Sequence, residues 1–274
     1  MAGLRSNVAL TQQQAARDIW AASAFAERDA IIAAGAVPLL VGMLRSDQPA
    51  VQEQAAGALW NLAASSRQNK NTIIAAGAVP PLVDMLRSDQ PAMQERAAGA
   101  LGNLAITSQQ NSDAIIAAGA VPPLVYLLRS DQPSVQEKAT GALWNLAHNS
   151  QQNSDTIVAA GAVLPLVVLL RSDQPAVQQQ AAGALWVLVV NSLQRKGAVI
   201  AAGALPPLIA LLRSDQPTVQ QRAAGALRCL SAGSQQNRDA MVASGAVPSL
   251  VAVLSSDQPA VQQLAADALR MLRS

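Results

Sequence analysis

The sequence has few of the residues on which enzymes, disulfide-bonded proteins and nucleic-acid binders depend. Only 2% of its 274 residues are aromatic and 13% are charged, with one cysteine, one histidine and a net charge of +2. The single cysteine, Cys229, excludes an intrachain disulfide framework and fits a reducing compartment. The single histidine, His148, provides neither a metal site nor a paired catalytic base, and there is no glycine-rich phosphate loop. We therefore expect no enzymatic activity, no cofactor and no bound metal.

Charge and hydropathy also restrict the partners. No apolar run is long enough to span a membrane, and the N-terminus lacks the basic and apolar pattern of a signal peptide. The net charge is too small to indicate nucleic-acid binding. Arginines recur at one position of the sequence pattern, each at a predicted helix end: Arg45, Arg87, Arg129, Arg171 and Arg213. Stabilisation of the helix dipole explains them. The alternative is a basic edge that meets nucleic acid or acidic lipid. We expect a cytoplasmic and/or nuclear protein with no membrane or nucleic-acid partner.

What the sequence does contain is a repeat of 42 residues. A Gly-Ala corner marks each copy at Gly35, Gly77, Gly119, Gly161, Gly203 and Gly245. A Ser-Asp-Gln-Pro corner begins at Ser46, Ser88, Ser130, Ser172, Ser214 and Ser256. A fixed period of this length predicts a solenoid, in which each unit buries its apolar face against the next unit.

One unit predicts three helices. Asn111 or Ser112 is the expected N-cap of the first helix, and Gly119 the left-handed residue that ends it. The second helix follows with prolines in its first turn. Asp131 is the expected cap of a third, longer helix, whose buried stripe has three-four spacing at Val135, Ala139, Ala142, Leu143 and Leu146.

The three-helix unit, with AAGAVPPLV at its first corner and GALWNLA in its third helix, resembles an armadillo repeat. It is most similar to the repeats of β-catenin, plakophilin and plant armadillo proteins. HEAT repeats, which usually have two helices, are the more distant alternative. The resemblance implies an all-α fold, a right-handed superhelical solenoid whose third helices line a concave groove that holds extended peptides.

We predict one armadillo-repeat domain over residues 1–274. Residues 1–23 contain only a third helix and form an N-terminal capping half-repeat. Five modules follow at about 24–65, 66–107, 108–149, 150–191 and 192–233, and 234–274 is a C-terminal capping repeat. Residues 193–197 depart from the Ser-Gln-Gln-Asn pattern of the other modules, so we expect the fifth module to lose its first helix cap and to have a mobile loop there.

An asparagine in the third helix is the main candidate for binding. In the armadillo family this residue bonds the backbone of a bound peptide, and the resemblance carries that role to Asn61, Asn103 and Asn145. A side-chain amide suits the role because it offers both a donor and an acceptor to any peptide unit. The alternative is structural, with the asparagine capping a helix end or fixing a buried turn.

Glycine and tryptophan occupy neighbouring positions in these helices. Gly57, Gly99 and Gly141 stand where importin-α-type repeats carry tryptophan, and glycine within a helix indicates a close approach. The approaching group is either a ligand backbone or the neighbouring helix. Tryptophans instead stand just before the asparagine position, at Trp60, Trp144 and Trp186. They either form a shelf over the glycines or pack between helices, and packing is the usual use of a large aromatic.

Basic residues indicate the charge of the ligand. Arg96 and Lys138 lie seven residues before the asparagines, about 20° away around the helix, where importin-like repeats tend to carry an acid. An acidic or phosphorylated extended segment therefore fits better than a nuclear-localisation peptide, unless these are ordinary solvated charges beside Glu95 and Glu137. His148, three residues after Asn145, also belongs to the predicted peptide site.

Two classes of function follow. The first is a non-enzymatic scaffold that binds an extended peptide or disordered partner in the groove. The second is a structural or oligomerising scaffold that contacts folded partners through its repeat ends; a consensus-like engineered scaffold without a natural ligand is a further alternative. We expect a monomer, with an end-to-end dimer as the alternative.

Overall fold

A computed structural model describes residues 2–23, 28–106, 108–148 and 150–273, and within them the chain is helical, with no strand. The predicted all-α fold is confirmed. The helices follow one another in groups of three that repeat with the sequence. The predicted module boundaries at residues 24, 107 and 149 fall outside the described residues and stay predictions.

The first helices are α2 (Arg28–Ala33), α5 (Arg67–Ala75), α8 (Gln109–Ala117), α11 (Gln151–Ala159), α14 (Leu193–Ala201) and α17 (Gln235–Ala243). The second helices are α3 (Ala36–Met43), α6 (Val79–Met85), α9 (Val121–Leu127), α12 (Val163–Leu169), α15 (Leu205–Leu211) and α18 (Ala246–Ala252), the last followed by a 3₁₀ turn at Val253–Ser255. The third helices are α1 (Ala2–Ser23), α4 (Pro49–Ala63), α7 (Pro91–Ala105), α10 (Pro133–Ala147), α13 (Pro175–Val189), α16 (Pro217–Ser231) and α19 (Pro259–Arg273).

The corner between the first and second helices is built as predicted. Gly119 adopts a left-handed conformation with φ of 81°, in which a residue with a side chain would be strained. The second helix α9 then begins with two prolines in its first turn, where the missing N–H groups have no helical partner to lose.

The caps of the first and third helices differ from the prediction. Ser108, not Asn111 or Ser112, is the N-cap of α8, and its hydroxyl accepts a hydrogen bond from the backbone N–H of Asn111 at 3.2 Å. Asp131 does not cap α10, because the helix begins at Pro133. The carboxylate of Asp131 instead accepts from the Gln132 side chain at 3.3 Å. The prediction assigned each cap to the wrong residue, because several neighbouring side chains can bond a helix N-terminus.

The fifth module keeps its cap, so the expected loss of the cap is wrong. The hydroxyl of Ser192 accepts from the backbone N–H of Arg195 at 3.2 Å, and α14 begins directly afterwards. The Arg195 side chain is buried and donates to the carbonyl oxygens of Leu188 at 2.5 Å and Val190 at 3.0 Å. It also forms an ion pair with Asp155. Arg195 therefore replaces, with several bonds, the asparagine that occupies this position in other modules.

Two buried lysines bond the ends of third helices. The ammonium group of Lys70 donates to the carbonyl oxygen of Ile106 at 3.4 Å, and that of Lys196 to Ala232 at 2.8 Å. Removal from water disfavours a charged ammonium group, so burial lowers the pKa of Lys70 and of Lys196 below the ordinary lysine value. At Lys196 the neighbouring Cys229 opposes this lowering and Arg228 adds to it.

The chain forms two compact units, Met1–Leu146 and Ala147–Ser274, here called the N-terminal and C-terminal units. In the N-terminal unit α4 packs between α1 and α7, and in the C-terminal unit α16 packs between α13 and α19. Small residues make this close packing feasible: Ala97, Ala98 and Ala100 of α7 are fully buried. Fully buried leucines such as Leu59 and Leu101 fill the core, each contributing roughly 1.5–3 kcal/mol.

No single helix among the described residues has both the length and the hydropathy needed to cross a membrane. Helices α11 and α12 reach that threshold only when they are taken together, and the chain bends by 85° between them.

Candidate functional site

The three predicted asparagines lie on consecutive third helices of the N-terminal unit. The side-chain amide of Asn103 in α7 donates to the carbonyl oxygen of Trp60 in α4 at 3.0 Å. Asn145 in α10 donates in the same way to Gly102 in α7 at 3.0 Å, and Asn61 to Trp20 at 3.4 Å. Each asparagine thus joins its own third helix to the backbone of the preceding one.

This bond leaves part of each amide available. Asn61, Asn103 and Asn145 are all half-buried, and each makes a single side-chain hydrogen bond, donated by its nitrogen. Within the described residues, no donor reaches their side-chain oxygens, and these oxygens are not among the buried atoms that lack a partner. Solvent therefore reaches them. One acceptor and one N–H of each amide remain for another molecule.

Two of the predicted glycines, Gly57 and Gly99, lie against tryptophan rings from the preceding repeat. A methyl group built on Gly99 would lie 2.6 Å from Cε2 of Trp60, and one on Gly57 would lie 3.1 Å from Cε2 of Trp20. No real side chain tolerates the first distance. Of the two approaching groups considered from the sequence, the structure shows the neighbouring helix. The tryptophan ring packs between two third helices, with one face on the glycine of the next repeat.

Cations cover the same rings. The guanidinium carbon of Arg96 lies 4.8 Å from the centroid of the Trp20 ring and 5.5 Å from that of Trp60. The ammonium nitrogen of Lys138 lies 5.3 Å from the Trp60 centroid. Such contacts are attractive because the ring face is electron-rich. The Trp60 ring therefore has Gly99 against it and two cations within reach, which leaves little of it for an inserted ligand side chain.

The two cations are also paired with acids. Arg96 forms an ion pair with Glu95 at 3.4 Å, and Lys138 with Glu137 at 2.6 Å. All four side chains are only 22–27% exposed. In the free protein, the positive charge of Arg96 and of Lys138 is therefore offset by a neighbouring carboxylate, as the alternative interpretation of the sequence expected.

The remaining predicted residues lie in several places. Gly141 and Trp144 are half-buried in α10 of the N-terminal unit. His148 is exposed in the turn after α10 and belongs to the C-terminal unit, as does Trp186 in α13. Nothing in the structure assigns a ligand to any of these residues, so their role in peptide binding stays a prediction.

The C-terminal unit repeats the tryptophan and glycine contact without the asparagine. A methyl group on Gly225 would lie 2.6 Å from Cε3 of Trp186, and the Arg222 guanidinium carbon lies 5.8 Å from that ring's centroid. Burial lowers the pKa of Arg222 below the usual arginine value. The asparagine position holds Val187 and Cys229, neither of which offers an amide. The N-terminal unit alone therefore carries the repeated amide groups.

Sequence reasoning missed that these contacts join one repeat to the next. Trp60 and Gly57 were compared within one helix, whereas the ring of Trp60 lies on Gly99, 39 residues later. The signal was present in the sequence: a tryptophan in one repeat is followed by a glycine in the next. The asparagine bond to the preceding backbone had no comparable signal, because a backbone carbonyl is present at every position.

Several solved structures similar to this chain are of engineered or designed proteins. One engineered protein is 36% identical, with a TM-score of 0.91, and the match covers 96% of this chain and 64% of that one. A second is 35% identical, with a TM-score of 0.84, covering 86% of this chain and 98% of that one. A designed armadillo repeat protein in complex with the peptide (KR)4 is 28% identical, with a TM-score of 0.81, over 86% of this chain and 99% of that one. No curated protein sequence matches the chain.

Six consecutive segments match the family model described as the armadillo/beta-catenin-like repeat. They span residues 26–64, 66–106, 108–148, 150–190, 194–232 and 234–272, which is most of the chain. The matches keep the period and the three-helix grouping described above. The chain is a member of the armadillo repeat family.

Proposed function

We propose that this protein is a non-enzymatic scaffold that binds an extended peptide, or a disordered segment of a partner, along the third helices of its N-terminal unit. One observation carries the proposal. Asn61, Asn103 and Asn145 stand in register on consecutive third helices, and each keeps a solvent-accessible amide oxygen and one N–H after bonding the preceding helix. Extended peptides offer their own N–H and carbonyl groups regularly, so a row of amides suits any peptide sequence.

The charges of this surface favour an acidic or phosphorylated ligand over a basic one. The designed relative with the peptide (KR)4 shows that an armadillo surface can carry a basic ligand. Here, Arg96 and Lys138 lie seven residues before Asn103 and Asn145 in the same helices, and both already contact the Trp60 ring that would flank an inserted cation. A ligand carboxylate can replace Glu95 or Glu137 at these cations, whereas a ligand lysine would find the tryptophan faces already occupied by Arg96 and Lys138.

Peptide binding to matched variants tests the proposal. Fluorescence polarisation would compare acidic, neutral and basic labelled decapeptides on the protein and on the variant Asn61→Ala/Asn103→Ala/Asn145→Ala. Because these asparagines also join helices, the control is Gln52→Ala/Gln94→Ala/Gln136→Ala. That control removes three side-chain bonds to backbone carbonyls from the same three helices, at 3.2, 2.6 and 2.6 Å.

We expect the acidic peptide to bind the protein and the glutamine variant, and to lose at least about tenfold in affinity on the asparagine variant. Equal binding to both variants would contradict the role of the asparagines. A preference for the basic peptide would contradict the charge argument but keep the asparagine row. The similarity to engineered proteins is also compatible with a scaffold that has no natural ligand, which predicts no selectivity among the three peptides.

Contacts through a repeat end are the second candidate, because the last module exposes apolar residues that earlier modules bury. Leu254 is 39% exposed, whereas its counterparts Leu212 and Leu170 are each 1% exposed. Val251 is 49% exposed, against 9% for Ile209. We expect the protein to be a monomer, and light scattering checks this. A dimer that dissociates on Leu254→Glu substitution would favour the second candidate.

A further inference from the structure

A pocket recurs where the corner between a second and a third helix meets the second helix of the next repeat. In the C-terminal unit this pocket, here called the C-terminal pocket, has a volume of about 500 Å³. Its lining includes Leu170, Arg171, Gln178, Pro207, Leu211 and Arg213. It belongs to the corner between second and third helices, so it is separate from the asparagine row of the N-terminal unit.

The C-terminal pocket combines an apolar floor with two free cations. Leu170, Pro207 and Leu211 are buried beneath it, whereas Arg171 and Arg213 are exposed. Within the described part of the chain, neither arginine side chain makes a hydrogen bond or an ion pair. No carboxylate lines the pocket, so both guanidinium groups keep their full capacity to bind an anion.

The acids that follow these arginines in the sequence accept hydrogen bonds from other residues. Asp173 and Asp215 each follow one of the arginines by two residues and lie outside the lining. Their carboxylates accept hydrogen bonds from the side-chain amides of Gln174 and Gln216, at 3.3 Å in both cases. They reduce the local positive potential without neutralising either arginine by contact.

The equivalent pocket of the N-terminal unit contains an acid that the C-terminal pocket lacks. It has a volume of about 530 Å³ and contains Arg45 and Arg87 at the corresponding positions. Asp84 also lines it and forms an ion pair with Arg87 at 3.4 Å. The residue that corresponds to Asp84 in the C-terminal pocket is Ala210, which is exposed. The two pockets can therefore be compared directly: Asp84 pairs with Arg87 in the N-terminal unit, whereas Ala210 leaves Arg213 without such a partner in the C-terminal pocket.

We propose that the C-terminal pocket binds an extended peptide segment in which a carboxylate side chain stands next to an apolar residue. The carboxylate is held between Arg171 and Arg213, and the apolar side chain covers Pro207 and Leu211. Arginine suits this ligand because its fork matches both oxygens of a carboxylate. Such a peptide is selected by charge complementarity together with an apolar floor, which distinguishes the pocket from a general basic edge.

The test exchanges the deciding residue between the two pockets. The probe is a fluorescein-labelled octapeptide that alternates leucine and glutamate, with an octapeptide of leucine and glutamine as its uncharged match. Binding is measured by polarisation, and backbone amide shifts in the ¹⁵N spectrum locate it. The variants are Ala210→Asp, Asp84→Ala and Arg171→Gln/Arg213→Gln, with circular dichroism as the check on folding. All of these positions are exposed, so we expect the fold to persist.

We expect the leucine–glutamate peptide to shift residues 205–214. Titration of these shifts, which report the C-terminal pocket alone, should give at least about tenfold weaker binding for Ala210→Asp and for the double arginine variant. Asp84→Ala should add shifts at residues 79–88, since it removes the carboxylate that is paired with Arg87. The asparagine triple variant should leave the shifts at residues 205–214 unchanged, which separates this site from the proposed peptide surface. Equal affinity on Ala210→Asp, equal binding of the uncharged peptide, or shifts confined to the asparagine row would overturn the proposal.

Discussion

The contact between Trp60 and Gly99 makes a quantitative prediction about three glycines of the N-terminal unit. Gly42, Gly57 and Gly99 all lie within helices, so alanine is the better helix former at each position. Their surroundings differ in a graded way. A methyl group would meet nothing within 4 Å at Gly42, a ring atom at 3.1 Å at Gly57, and a ring atom at 2.6 Å at Gly99.

The expected free energies follow from two opposing effects. Replacing glycine by alanine within a helix stabilises the folded state by roughly 0.5–1 kcal/mol. Overpacking costs typically about 1–3 kcal/mol when the neighbour cannot move freely. The Trp60 ring is restrained by Arg96 and Lys138 on it, so Gly99→Ala is expected to destabilise by about 0.5–2 kcal/mol. Gly42→Ala is expected to stabilise, and Gly57→Ala to fall between the two.

Urea unfolding of the three variants measures this order. The midpoint and the slope m are both needed, because a repeat array can lose cooperativity and a changed m would reveal it. The double variant Trp60→Leu/Gly99→Ala completes a cycle: removing the ring should relieve the clash, so the alanine becomes stabilising in that background. The cycle isolates the contact from any general effect of either substitution.

Two results would refute the reasoning. If Gly99→Ala stabilised the protein as much as Gly42→Ala, the ring would not lie on Gly99. If Gly99→Ala destabilised equally with and without Trp60, another group would be the one in contact. The same comparison in the C-terminal unit uses Gly225, whose methyl group would lie 2.6 Å from Trp186, and Gly197, which has nothing within 4 Å.

Three further predictions concern polar groups. Arg195→Ala should destabilise the protein by about 1–3 kcal/mol because it leaves buried carbonyl oxygens without donors, whereas Arg195→Asn should cost less, since Asn111 bonds the equivalent carbonyl of Leu104 at 3.2 Å. Thermal unfolding of both variants measures the difference, and equal losses of stability would contradict this prediction. Asn103→Ala should cost about 1 kcal/mol through the lost bond to Trp60, measured by urea unfolding, and no loss would mean that this bond is not made in solution. The lowered pKa values of Lys70 and Lys196 mean that the unfolded state binds more protons than the folded state just below pH 10.5, so the free energy of unfolding should rise with pH there. Urea unfolding at several pH values should show a smaller rise in Lys70→Ser/Lys196→Ser, and an unchanged rise would contradict the burial of these lysines.

The sequence predicted the helices and corners well because they depend on local chemistry. Gly119 and the prolines of the second helices determine backbone conformation within a few residues, whatever the neighbouring repeats do. The caps were less predictable, since Ser108, Asn111 and Ser112 all have side chains that bond a helix N-terminus. Only the position at which the chain enters the helix distinguishes them.

The sequence named residues for the candidate site but did not indicate the contacts between them. Asn103 and Trp60 were both named, yet the bond between the first and the backbone of the second depends on the spacing of two helices. Arg96 was read as a charge available to a ligand, whereas it lies over two rings and beside Glu95. Distances between repeats, rather than positions within one, decide these roles.

The tryptophan and glycine contact is absent from one junction in each unit. Gly102 replaces the tryptophan between α7 and α10, and a methyl group there would lie 3.3 Å from the backbone of Ala142. Arg228 replaces it between α16 and α19, where Asp267 stands at the glycine position. In a linear array, stability is the sum of each unit and of its coupling to the next, so unequal coupling divides the array into segments that open at different free energies. The junctions without an indole lack one contact that the others have, so we expect the array to separate there first under force, heat or denaturant, and the spacing of these junctions to set the length of chain that unfolds as one cooperative block.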